Sequence, residues 1–243
     1  MNTDVLTWPP VYVLRRSKRV KSIQLNITPH KGLEIVLPYR QSLAFVEDIL
    51  IKHRLWIEKV WQRVRPISSL ENLELPKTIH LRAMDKLFEV FFIDHNKKIK
   101  LHEEEGALYI YGPLKDMAEK KPFWAKSLQD WTLSKGKGYL FSYLKELSDR
   151  TGLVFNQCSL RKQTTLWGSC TSLGRISLNY KLMFLPPVFV EYVLLHELCH
   201  TRYLDHSKSF WDLLESFNPG CLKTRQQLRQ ADHYLPAWSI PIF

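Results

Sequence analysis

The run His196-Glu197-Leu198-Cys199-His200 sits inside the otherwise apolar stretch Val188–Leu204, and it constrains the chain more than any other feature. On a helix, positions i and i+4 lie on one face about a turn apart. His196 and His200 can therefore reach one metal ion at the ~2.0–2.1 Å of zinc–nitrogen bonds. Glu197 follows the first imidazole and can address a water at the ion without ligating it. Val188, Phe189, Val190, Tyr192, Val193, Leu194 and Leu195 make the helix apolar nearly all round, as expected of a buried one. Two imidazoles and a carboxylate buried without a metal or partners would cost several kcal/mol. The same five-residue pattern also arises by chance in chains that bind no ion.

A catalytic zinc usually takes three protein ligands and keeps a fourth position open. The next histidine is His206, in the string HELCHTRYLDH. That spacing equals the metzincin signature, in which a glycine turns the chain after the second histidine. Tyr203 occupies that slot here, and a longer or differently bent helix end would also deliver His206. Asp205 is the second candidate, followed by Cys199, Glu215 and His233. Cys199 points off the face that carries His196 and His200.

Composition narrows the setting. A chain of 243 residues, 45% hydrophobic, suits one large domain or two small ones. No apolar run reaches the ~18–20 residues that span a bilayer, so no membrane-spanning segment is expected. The start Met-Asn-Thr-Asp carries no basic segment followed by an apolar core, and a cytoplasmic location is expected. Cys158, Cys170, Cys199 and Cys221 show no paired spacing, which speaks against a zinc ribbon or a disulfide framework. The net charge is +11, and Arg15, Arg16, Lys18, Arg19 and Lys21 crowd one acid-free stretch. Nucleic acid is therefore a candidate partner through a basic surface, with acidic peptides or an anionic membrane surface as alternatives. A solvated strand edge lined by long basic side chains explains the same stretch, and no nucleic-acid motif accompanies it.

The pattern along the chain predicts an α+β fold. Val11–Arg16, Ser22–Thr28 and Leu33–Leu37 read as strands, with a hairpin turn at Pro29–Gly32. Ser42 reads as a cap to a helix whose stripe is Phe45, Ile49, Trp56, Ile57, Val60 and Trp61. After a linker at Pro66–Pro76, strands at Thr78–Ala83, Leu87–Ile93, Lys97–His102 and Ala107–Tyr111 suggest a small antiparallel sheet, with His80, His95 and His102 exposed. The expected organisation is an N-terminal antiparallel β region with one long helix over 1–112, then a second domain over 113–243. That second domain would enter through a connector at Pro113–Pro122. A long helix through Trp124, Leu128, Trp131, Leu140, Tyr143, Leu144 and Leu147 follows, with Gly136 and Gly138 as kink points. Strands near Gln157–Lys162 and Arg175–Leu182 precede Pro186-Pro187, which opens the His196 helix. Helices at Ser207–Phe217 and Leu222–His233 close the chain.

Several stretches together resemble the YgjP-like metallopeptidase family: Arg161, Trp167-Gly168-Ser169-Cys170, Gly174-Arg175-Ile176-Ser177-Leu178-Asn179, Glu191–Glu197 and His206-Ser207 with Phe210-Trp211. Arg15–Arg19, Ile23–Ile27, Leu33–Pro38 and Trp56-Ile57 extend the resemblance. Asp205 stands where that family usually has asparagine, a departure that bears on how His206 is held.

The resemblance implies a zincin-like metallopeptidase domain carrying an HExxH helix, distantly similar to SprT-like and WLM-type proteins. It further implies that His196, His200 and His206 bind Zn2+ and that Glu197 is the base. Zinc lowers the pKa of a bound water from ~15.7 toward ~7, and Glu197 would take its proton and pass it to the leaving amine. The substrate expected is a peptide or protein, which could add itself to a sheet edge at Arg175–Leu182. Trp167-Gly168-Ser169 reads as a cleft wall or as a core-filling turn. Tyr203, Tyr180, Arg161 and His233 are candidates to stabilise the oxyanion. Three alternatives stand beside a zinc peptidase: a DNA-associated SprT-like protease, a zinc-binding module without enzymatic activity, and a zinc amidase.

Overall fold

Pro187 starts the helix that carries His196, and the helices and third sheet of the C-terminal unit pack around it. The computed structural model describes residues 8–28, 32–64, 75–95, 98–115, 117–163 and 166–239. The architecture is α+β, with six helices and three sheets among these residues. The chain divides into two compact units near residue 72.

The first unit holds β1 (Tyr12–Ser17), β2 (Gln24–Thr28), β3 (Gly32–Pro38), α1 (Phe45–Lys52) and α2 (Arg54–Val64). β3 is the central strand, antiparallel to β2 and parallel to β1. Its Leu33, Ile35 and Leu37 face Val46, Leu50 and Ile57 in a small core, as period-2 and period-3.6 patterns require. Most of the hairpin turn expected at 29–32 lies outside the described residues. The expected helical stripe is revised. The helix breaks at His53, Phe45 and Trp56 are exposed, and Val46 and Leu50 bury in their place. Ser42 does not cap α1 directly; its hydroxyl accepts from the Ala44 N–H at 3.3 Å.

The second unit begins with β4 (Thr78–Leu81), β5 (Lys86–Asp94), β6 (Lys100–Glu104) and β7 (Ala107–Gly112), in the order β4-β5-β7-β6. Strands β5 and β7 pair in parallel, and the other two pairings are antiparallel. The boundary expected at 112/113 thus falls about forty residues earlier, and this sheet joins the C-terminal unit. The reason is α3 (Met117–Thr151), which packs on it. Trp131 stands edge-on to Phe88 at 5.1 Å, Trp124 edge-on to Phe92 at 5.4 Å, and Glu103 accepts from both Trp131 Nε1 and Lys135 Nζ.

The helix α3 absorbs the connector expected up to Pro122 and runs as one element through Gly136 and Gly138. Gly136 serves packing. A Cβ there would meet Leu160 Cδ2 at 2.8 Å and Met183 Cγ at 3.1 Å.

The third sheet is β8 (Gln157–Arg161), β9 (Gly168–Cys170) and β10 (Arg175–Asn179), in the order β8-β10-β9. A 3-10 turn at Tyr180–Phe184 leads to α4 (Pro187–Cys199), with Pro187 in the first turn, where its missing N–H costs nothing. Then come α5 (Lys208–Phe217) and α6 (Cys221–Leu228). α4 packs against α3, α5, α6 and β9, which accounts for its burial on nearly every side. No helix among the described residues is long and apolar enough to cross a membrane.

Candidate metal centre

The α4 helix ends at Cys199, and the chain then folds back tightly. The N–H groups of Arg202 and Tyr203 both bond to the Cys199 carbonyl. This turn brings His206 back over His196, with their Nε2 atoms 3.1 Å apart. Those of His200 and His196 are 3.2 Å apart. Ligands ~2.0–2.1 Å from one tetrahedral centre lie about 3.3–3.4 Å from each other, so the three rings already define one face of a metal site. Among the described residues this trio is the group whose donor atoms can hold one ion.

Tyr203 does not need the left-handed backbone of a glycine; among the described residues the non-glycine residues with positive φ are Asp85 and Glu105. Its carbonyl accepts from His200 Nδ1 at 2.9 Å, which leaves Nε2 with its lone pair toward the site. The ring of His200 stacks on buried Phe210 at 4.6 Å, and that of His206 stacks on Trp211 at 5.5 Å. Phe210 and Trp211 therefore hold the imidazoles in place, a role their spacing in sequence did not reveal. Burial and the neighbouring His200 and His206 push His196 down to about 3, so its nitrogen stays unprotonated and able to ligate.

The other candidate ligands are engaged elsewhere. Asp205 accepts from the Ser207 N–H at the start of α5, and Glu215 accepts from the N–H groups of Gly220 and Cys221. His233 Nδ1 bonds to the Gln230 carbonyl. Cys199 is fully buried, and burial pushes its thiol up to about 12.

Glu197 is 5% exposed, and its Oε2 has no hydrogen-bond partner. Burial pushes its carboxyl up to about 8, a shift that a cation at the histidines opposes. An unpartnered buried carboxylate beside three converging imidazoles fits a metal ion and a water. The family model described as YgjP-like, metallopeptidase domain, matches residues 21–231. The chain belongs to the YgjP-like metallopeptidase family. No curated protein and no solved structure matches it. Membership of the YgjP-like family implies a metal, usually zinc, and the histidine cluster is where this chain can hold one.

The Trp-Gly-Ser-Cys segment of this YgjP-like chain proves to be the edge strand β9 with the residue before it. Gly168 lies against the Glu197 carboxyl; a Cβ there would be 2.6 Å from Oε1. Asn179 holds this segment from β10. Its Nδ2 donates to the carbonyls of Gln163 and Leu166, and its N–H to that of Trp167. β10 is paired on both sides, by β8 and β9. The sheet edge expected at Arg175–Leu182 is thus occupied, and β9 is the edge beside α4.

A cleft of about 240 Å³ opens on His196 and Glu197, walled by Trp167 and Gly168 on one side and by Arg225 and Arg229 on the other. The sequence reading missed both arginines. Of the expected oxyanion donors, Tyr180 is fully buried with its hydroxyl on the Ser239 carbonyl. Arg161 ends β8, across β10 from β9. His80 is half-buried beside Asp85, and His95 and His102 are exposed, far in kind from any ligand set.

Proposed function

We propose that this chain is a zinc-dependent peptidase in which His196, His200 and His206 hold Zn2+ and Glu197 is the general base. The observation that carries the reading is the convergence of three Nε2 atoms, at 3.1 and 3.2 Å, beside a buried carboxyl with an unpartnered oxygen. Zinc, when bound, would supply Lewis acidity and a lowered pKa for water. The chain's own residues do the rest. Glu197 Oε2 accepts the proton of the attacking water and returns it to the leaving amine. Trp167 and Gly168 shield that carboxyl from bulk solvent. A peptide strand laid along the open edge of β9 would be held by main-chain hydrogen bonds beside the base. Three imidazoles with no fourth protein ligand among the described residues favour an open, catalytic site over a closed structural one.

The test pairs metal analysis with hydrolysis of a quenched peptide library. Wild type should carry one zinc per chain and cleave. Glu197→Gln should keep the zinc and lose about 10²–10⁴-fold in rate, the usual worth of a general base. His206→Ala should lose the metal. Hydrolysis by the glutamine variant at the wild-type rate would remove Glu197 from the mechanism.

The reading as a DNA-associated protease draws on the exposed basic stretch. Arg15 faces Glu34, and Arg16 bonds to the carbonyls of Tyr39 and Gln41. These local partners favour a strand-edge role for that stretch. Cleavage stimulated by DNA, with steep salt dependence, would reverse this preference.

A further inference from the structure

Two arginines stand on the α6 side of the cleft, four residues apart and so on one helix face: Arg225, and Arg229 at the helix end. α6 contains no acidic residue, and neither guanidinium has an ion-pair partner among the described residues. Arg225 lies over the Trp211 ring at 4.9 Å, which fixes its plane and leaves its N–H edges for a ligand. Glu197 is the cleft's acid, so two positive charges face one carboxyl that is itself buried.

We propose that Arg225 and Arg229 form a carboxylate-binding subsite, and that the substrate is a peptide presenting a carboxylate on the α6 side of the cleft. That group is either the chain's C-terminus or an Asp or Glu side chain. A guanidinium presents paired N–H donors that match a carboxylate, and two of them one turn apart can share it. Val193 and Leu228 also line the cleft and supply apolar wall suited to the aliphatic part of a residue. This inference rests on the peptidase reading above and names its substrate class.

The test is calorimetric binding to zinc-loaded Glu197→Gln protein, which does not consume the ligand. The probes are a neutral pentapeptide with a free C-terminus, its C-terminal amide, and the amide carrying one Glu. A carboxylate-bearing peptide should bind at least tenfold more tightly than the neutral amide, and whichever peptide shows the advantage identifies the source. Arg229→Gln on the same background should reduce that advantage to about twofold, and Arg229→Lys should restore part of it. Arg225 is left native because it packs on Trp211. Equal binding of all three peptides to protein with one zinc per chain would overturn the subsite. So would an advantage that survives Arg229→Gln, or displacement of the peptide by a single-stranded oligonucleotide. If purified wild type carries no zinc, the peptidase reading fails instead, and the same peptides on the metal-free chain still report on the arginines.

Discussion

The carboxyl of Glu197 fills the space that a side chain at position 168 would need: a Cβ on Gly168 would sit 2.6 Å from Oε1 and 2.7 Å from Cγ. An edge strand and a helix thus meet with no atom to spare at the proposed base. Glycine at 168 is required by this close approach and not by its backbone angles, since its φ is not among the positive ones.

Gly168→Ala should therefore act on Glu197. The carboxyl or β9 must shift by several tenths of an ångström, and misplacing a catalytic group by about 1 Å costs on the order of 10²-fold. We expect kcat to fall ten- to a hundredfold with zinc content unchanged. Loss of zinc, or wild-type kcat, in metal analysis and steady-state assays would contradict this.

Phe210 is fully buried with His200 stacked upon it and His206 at its edge, 4.8 Å between centroids. Phe210→Ala should cost about 3–5 kcal/mol as a large-to-small core change. Phe210→Leu keeps most of the volume and should remain folded, yet removes the flat face against which the imidazoles rest. We expect its zinc affinity, from chelator competition, to drop about 10–100-fold, as when outer partners of metal ligands are removed.

Asn179 is 3% exposed and bonds through its side chain to three backbone groups, the carbonyls of Gln163 and Leu166 and the N–H of Lys181. Asn179→Ala leaves them to find other partners, at about 1–3 kcal/mol for each that stays buried and unpaired. Hydrogen exchange should quicken at Trp167 and Gly168 more than at Cys158 and Leu160 across the sheet. Uniform quickening would mean that Asn179 supports the whole sheet rather than β9.

The metal-free protein should show a stability penalty on the alkaline side. Burial raises the Glu197 pKa from 4.5 to about 8. A folded-state value above the unfolded one means that the folded chain binds the proton more tightly. This contribution is full below about pH 4.5, declines above it and is gone once the pH has passed about 8. Denaturant titrations of chelated protein should show wild type losing on the order of a few kcal/mol from this source as pH rises through that window. Glu197→Gln should lack that part of the slope. An unchanged slope in the variant would assign the effect elsewhere.

The histidine pair and its neighbouring glutamate were legible because helical spacing is short-range and the apolar surroundings announced burial. Membership of the family was legible from the motifs for the same reason. Arg225 and Arg229 were not, because nothing local marks them. They enter the cleft only through the packing of α6 against α4. β9 was hidden too, since three residues containing a glycine carry no strand period, and their pairing partners lie in β10, beyond an intervening turn. The four-stranded sheet was placed in the wrong unit because strand patterns do not say which helix covers them. Trp124 and Trp131 decide that from further along the chain.

His200 is oriented by the carbonyl of Tyr203, and every residue type has a carbonyl. The phenol at 203 plays no part in that tether, so the tether requires only the path of the backbone and sets no condition on the side chain there. Searches that insist on glycine at this step of the motif will pass over proteins wired in the same way.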